Sequence, residues 1–258
     1  GDLMTMVEPL IAAATQDVES SSFLPGFRMN VFLGDSKCTV PDATRETVEI
    51  CSTGATKHVL MSDSCSASCE AVNDAARFFN VLQVGPGCIS TSLSDSDRFP
   101  YFTRMAPSYR FNVLAIYELM MMMRFQRVGV VYGYRSINVL AKDQFLELMQ
   151  SDVDAGRYNW TTLLTYQITS LGNIPDAQAA AAEIRQKDAR INFVALYQVE
   201  GAMLLCQTYH SGMLSPDYNF MVASGWWNPS FITERAGAGD CPCTVSELHR
   251  ASFGVVAA

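Results

Sequence analysis

Val128-Gly129-Val130-Val131-Tyr132 is an uncharged, β-branched run. A short apolar run of this kind predicts a strand, and its lack of alternation predicts one covered on both faces. It lies between two stretches of helical spacing, residues 109–124 and 139–151. Helix, buried strand and helix in succession make the unit of a parallel sheet flanked by helices. Downstream, strands are expected at 161–168, 192–197 and 219–223. They alternate with helices at 176–187, 200–210 and 245–250, and residues 252–258 read as a last strand. Upstream, a helix at 3–18 holds Pro9, which is expected to kink it. Strands follow at 27–33, 57–61, 81–84 and 99–104, with a short helix at 44–51. A further helix at 66–80 places Val72, Ala75, Ala76 and Phe79 on one face. Gly85-Pro86-Gly87 ends the third of these strands.

The succession divides near Ala106-Pro107-Ser108. The expected fold class is α/β, with two lobes of parallel sheet flanked by helices and a cleft between them. Residues 1–106 form the first lobe, lacking its first strand, and 107–258 the second, up to a return crossover. The chain opens on a helix and stops on a strand, so it reads as a piece of something longer. Ligands of parallel sheets sit at the carboxyl ends of strands, here residues 62–66, 85–90, 197–199 and 224–227.

The 258 residues are 49% hydrophobic, enough for each lobe to bury a core. A formal net charge of −8 argues against nucleic acid as a partner. Eight cysteines suggest an oxidising compartment or a metal. Metal is the weaker reading. Cys65-Ser66-Ala67-Ser68-Cys69 and Cys241-Pro242-Cys243 are not a paired zinc motif, and His58, His210 and His249 lie apart from them in sequence. The sequon Asn159-Trp160-Thr161 fits a secreted context. No apolar run is long enough to span a membrane.

A search for catalytic chemistry finds little. No phosphate-binding loop and no G-x-S-x-G elbow is present, and Gly237-Ala238-Gly239 lacks the third glycine of a dinucleotide fingerprint. Gly34-Asp35-Ser36 reads as a strand end and turn, and Cys88 as a buried thiol with no histidine placed to activate it. The expectation is a binding protein, with no catalytic residue, cofactor or metal. Ser66 is more informative, since it follows a strand and opens a helix, as an N-cap would. It either caps its own helix or shares the first-turn N–H groups with a ligand carboxylate. Trp226-Trp227 and Tyr197, at other strand ends, are core residues or a stacking wall.

Several blocks together resemble the ectodomain of a GABA-B-type receptor, a class C G-protein-coupled receptor with a type I periplasmic-binding-protein fold. They are Gly34-Asp35-Ser36-Lys37-Cys38, Cys65-Ser66 leading into Asp74-Ala75-Ala76-Arg77, Asp97-Arg98-Phe99-Pro100, and Phe102 with Arg104. The longest series runs from Arg185-Gln186-Lys187-Asp188-Ala189-Arg190-Ile191 through Leu196-Tyr197, Cys206 and Tyr209. It ends at Gly225-Trp226 and Cys243-Thr244-Val245-Ser246-Glu247. Receptor guanylate cyclases and glutamate receptors share the fold but fit these blocks less well.

The resemblance implies bridges between Cys38 and Cys65 and between Cys206 and Cys243. It leaves Cys51, Cys69, Cys88 and Cys241 without partners, with Cys51–Cys69 as one possible extra bridge. It implies ligand contacts at Ser66 and the adjoining Ala67, at Tyr197 and at Trp226. A second carboxylate-binding serine falls at Ile89, beside Ser90, and a contacting histidine falls at Ala106. The expected ligand is GABA or another small amino acid or carboxylate, held as the lobes close. The expected partners are a second receptor subunit, in a homo- or heterodimer, and a G protein reached through a transmembrane part. The expected location is the extracellular side of the cell membrane. The alternatives are a receptor guanylate cyclase ectodomain, a soluble or periplasmic amino-acid-binding protein and, last, an intracellular α/β enzyme.

Overall fold

Parallel pairing joins the strands of both sheets. The computed structural model describes residues 3–21, 25–170, 172–223, 229–239 and 241–257. The chain clusters into two units, Gly1–Ile89 with Leu93–Ala106, and Pro107–Ala258 with Ser90–Ser92.

The first unit holds helices α1 (Leu3–Ser20), α2 (Val40–Ser52) and α3 (Ser66–Phe79). Its sheet is β1 (Val59–Met61), β2 (Leu82–Gly85) and β3 (Phe102–Arg104), in that order and parallel. Thr39 starts α2 by accepting the Asp42 N–H at 3.2 Å, with Pro41 in the first turn, where its missing N–H is harmless. Asn80 ends α3 in the left-handed region at φ 56°, a conformation asparagine tolerates. The helix buries Cys69, Val72 and Ala76. Gln83, fully buried in β2, donates its amide to the Cys69 carbonyl at 3.0 Å and so ties the sheet to α3.

The second unit has a five-stranded parallel sheet in the order β5-β4-β6-β7-β8. Its strands are β4 (Arg127–Gly133), β5 (Thr161–Ile168), β6 (Ile191–Ala195), β7 (Asn219–Val222) and β8 (Val255–Ala257). The helices are α4 (Arg110–Met122), α5 (Ser136–Asp154), α6 (Ile174–Gln186), α7 (Gln198–His210), α8 (Pro229–Arg235) and α9 (Val245–Ser252). Val128, Val130 and Val131 are fully buried, as a strand covered on both faces requires. Phe145 of α5 stacks on Phe193 of β6, with centroids 4.1 Å apart. Val131, Val194 and Leu196 belong to a core that includes Ala180, Ile184 and Leu204.

Three expectations need correction. Residues 27–33 form no strand. Lys57 Nζ lies 4.1 Å over the Phe32 ring, but a strand needs a ladder and this segment has none. Ser66 is the first helical residue of α3 and the N-cap is Cys65. Cys69 bonds Cys88, not Cys51, and Cys88 is therefore a bridged cysteine and not a thiol. The helix α8 was not anticipated in the sequence. No helix among the described residues is long and apolar enough to cross a membrane.

Candidate functional site

In the first unit the loop leaving β1 turns at Ser62-Asp63-Ser64-Cys65 into α3. Cys65 has extended geometry and contributes no side-chain cap, because its sulfur is committed to Cys38. The first-turn N–H groups of a helix have no intrahelical acceptor, and the N-cap side chain of α3 supplies none. Ser66 is partly buried there and Ala67 is exposed. Asp63 shapes the turn by accepting the Cys65 N–H at 2.8 Å and a hydrogen bond from the Ser36 hydroxyl. Two disulfides brace it: Cys38–Cys65, with Cα atoms 5.5 Å apart, and Cys69–Cys88, at 6.3 Å. The second ties the first turn of α3 to the loop after β2. A side chain at Gly87 would meet Ser64 Oγ at 2.7 Å, which explains a glycine where these two loops touch. Ser90, by contrast, is 1% exposed and shares a 2.7 Å hydrogen bond with Ser92.

In the second unit, β4 lies between β5 and β6, so the connections from β4 and from β6 diverge. Such a switch point opens a crevice at the carboxyl ends of the strands. The loop after β6 carries Tyr197, half-buried as the N-cap of α7. The loop after β4 carries Tyr134 and Arg135, and the Arg135 guanidinium lies 4.7 Å over the Tyr197 ring and 5.8 Å from that of Tyr134. Burial pushes the Tyr197 phenol above its ordinary pKa, while Arg135 opposes the shift and Glu200 adds to it. The sequence reading passed over Arg135 and Tyr134. They directly follow the most apolar strand, so extending the strand-end rule to β4 would have found them. Trp226 and Trp227 lie outside the described residues.

The third bridge, Cys206–Cys243 with Cα atoms 5.7 Å apart, staples α7 to the start of α9. Cys51 and Cys241 are not disulfide-bonded. Two groups of metal-type donors come together among the described residues, Cys206/His210/Cys243 and Asp63/Cys69/Cys88. In each, two sulfurs are joined in a disulfide, which leaves a single donor. Asn159 of the sequon is exposed, just before β5.

Disulfide-braced, all-parallel α/β units with helix N-termini at their strand ends define a ligand-binding module of the type I periplasmic-binding-protein-like fold. The chain belongs to the receptor family ligand binding region, whose family profile matches residues 7–243. It is similar to gamma-aminobutyric acid type B receptor subunit 1 of Mus musculus, with 24% identity over 96% of this chain and 24% of the relative. It is also similar to subunit 2 of Homo sapiens, at 21% identity over 99% of this chain and 26% of the relative. A probable metabotropic glutamate receptor of Caenorhabditis elegans is 24% identical over 54% of the chain and 16% of the relative. The chain spans about a quarter of the length of the type B receptor subunits it matches.

Proposed function

We propose that this chain is the extracellular ligand-binding region of a class C, GABA-B-like receptor, which senses a small amino acid or carboxylate without transforming it. The observation that carries the reading is the match to a receptor ligand-binding family over 7–243, with type B receptor subunits as relatives over nearly the whole chain. The three disulfides and the exposed sequon asparagine suit secretion and glycosylation.

In this reading Ser66 and the Ala67 N–H receive the ligand carboxylate at the positive end of α3. Tyr197 and Trp226 supply aromatic contacts from the second unit, and Ser90 is a further candidate contact from the loop after β2. Binding favours lobe closure only through contacts that are stronger in the closed state. Closure would act on a homo- or heterodimeric partner subunit and, through the membrane, on a G protein.

The test is calorimetric titration of the secreted full-length ectodomain with GABA, glycine, L-glutamate and glutarate. At least one should bind saturably, and Ser66→Ala should weaken it about tenfold, as expected for a lost hydrogen bond to a charged group. No binding by the wild type, or undiminished binding by Ser66→Ala, overturns the reading.

A further inference from the structure

Three bridges take up six of the eight cysteines and leave Cys51 and Cys241 outside them. An unbridged cysteine in a disulfide-rich protein ordinarily reads as a link to another chain. Cys241 is fully buried, which bars a second chain from its sulfur in this fold. It lies instead in the core cluster of the third bridge, with Cys206, Cys243, Ala202, Ile232 and Leu248.

The order of the groups along α7 is specific. Ala202, Cys206 and His210 follow one another at four-residue spacing, so they share one stripe of the helix. Cys241 Sγ lies 3.8 Å from the Ala202 carbonyl oxygen, and Cys243 Sγ lies 3.8 Å from His210 Nε2. Cys206 therefore stands between its bridged partner, on the His210 side, and Cys241, on the Ala202 side. Helical side chains lean back over the preceding turn, which directs the Cys206 sulfur toward Ala202 and Cys241. The Cys241 N–H donates to the Ala238 carbonyl at 2.8 Å, and the Gly237 N–H to that of Cys243 at 2.9 Å. Local bonds thus hold both cysteines against the same helix. Thiol–disulfide exchange needs an incoming sulfur at one side of the attacked sulfur and a leaving sulfur at the other, and this stripe supplies both.

We propose that Cys241 is a resolving thiol for the Cys206–Cys243 bridge. The Cys241 thiolate attacks Cys206 Sγ. The Cys206–Cys241 bond forms as Cys206–Cys243 breaks, and the electron pair leaves on the Cys243 sulfur beside His210. Cys241 gives up one proton and Cys243 takes up one, so no oxidant or reductant is consumed. Cys206–Cys243 is the resting form. Handover moves the staple two residues upstream and releases Cys243, which directly precedes the N-cap Thr244, so α9 loses its covalent tie to α7. The proposal concerns the second unit alone and does not depend on the ligand.

The experiment locates the thiol in the full-length ectodomain. Wild type is held at about pH 8.5, where cysteine ionises appreciably. It is then quenched in acid, blocked with N-ethylmaleimide in denaturant, and fragmented to find the blocked residue. The label should start on Cys51 and Cys241 and rise on Cys243 to about 1–10%, the range of an ordinary minor state. Cys38–Cys65 and Cys69–Cys88 should stay intact meanwhile. Cys243→Ala should carry a Cys206–Cys241 bridge, made by the disulfide oxidants of the secretory route. Its urea midpoint should lie closer to wild type than that of Cys206→Ala, and adding Cys241→Ala should bring it down to the Cys206→Ala value. Cys206 and Cys241 left as thiols in Cys243→Ala, or no label on Cys243 in the wild type, overturns the proposal. Label spreading equally onto the cysteines of the other two bridges also overturns it, because that reports unfolding and general scrambling. If Cys243→Ala is not secreted, the wild-type label decides.

Discussion

The Tyr117 hydroxyl donates a hydrogen bond to the Asp152 carboxylate, joining α4 to α5. Arg157 closes on the same group, with Nε 2.7 Å from Oδ1. Asp152 is 6% exposed, so these two partners replace most of its water.

This pair makes the second unit sensitive to acid. The bond from Tyr117 first, then Arg157, holds the Asp152 carboxyl below its ordinary range. Burial and the same bond push the Tyr117 phenol up to about 12. A folded pKa below the unfolded value gives stability that is complete above about pH 4 and is lost as pH falls through the folded value. Urea unfolding of wild type should therefore weaken below about pH 4 more steeply than that of Asp152→Asn. At neutral pH the variant should be less stable by about 1–3 kcal/mol, since it leaves a buried hydroxyl and a guanidinium poorly paired. Parallel pH curves for the two proteins would rule this out.

The disulfides predict both a map and an energy. Peptide mapping without reductant should find Cys38–Cys65, Cys69–Cys88 and Cys206–Cys243. Breaking the last by Cys206→Ala releases a loop of sequence separation 37 and should cost about 3–4 kcal/mol in denaturant unfolding. Native alkylation should reach Cys51, which is partly exposed, and reach the buried Cys241 only on unfolding. Burial raises the Cys51 thiol above its ordinary pKa, so its labelling should still be accelerating at pH 9.

The start of α9 offers a local test. Thr244 and Glu247 form a reciprocal capping box, in which Thr244 accepts the Glu247 N–H at 3.3 Å and Glu247 accepts the Thr244 N–H at 2.8 Å. The Glu247 carboxyl is held below its ordinary range, chiefly by the Thr244 backbone N–H. Thr244→Ala should cost about 1 kcal/mol, read as a shift of the urea midpoint at constant slope. No shift would mean that the Cys206–Cys243 bridge alone secures this helix.

Much of the element sequence is legible in periodicity. The expected strand at 161–168 coincides with β5, and that at 128–132 falls within β4. The start of α3 at Ser66 was legible too, while the capping role passes to Cys65 because that residue alone has the extended backbone. Residues 27–33 show where periodicity misleads. Apolar spacing marks a segment fit to pair, and pairing depends on a neighbour far along the chain.

The alternation of apolar runs and helical stretches is a local property, so the amino-acid sequence by itself determined a parallel α/β chain. It also determined, through family resemblance, the Cys38–Cys65 and Cys206–Cys243 bridges. Tertiary structure alone decided that β4 stands between β5 and β6, that Cys69 meets Cys88, and that Arg135 lies over Tyr197. Arg135 and Tyr197 are distant in sequence and share no pattern. They become neighbours because β4 and β6 pair in register from Gly129–Asn192 to Tyr132–Ala195, which brings the loops after both strands to one edge of the sheet.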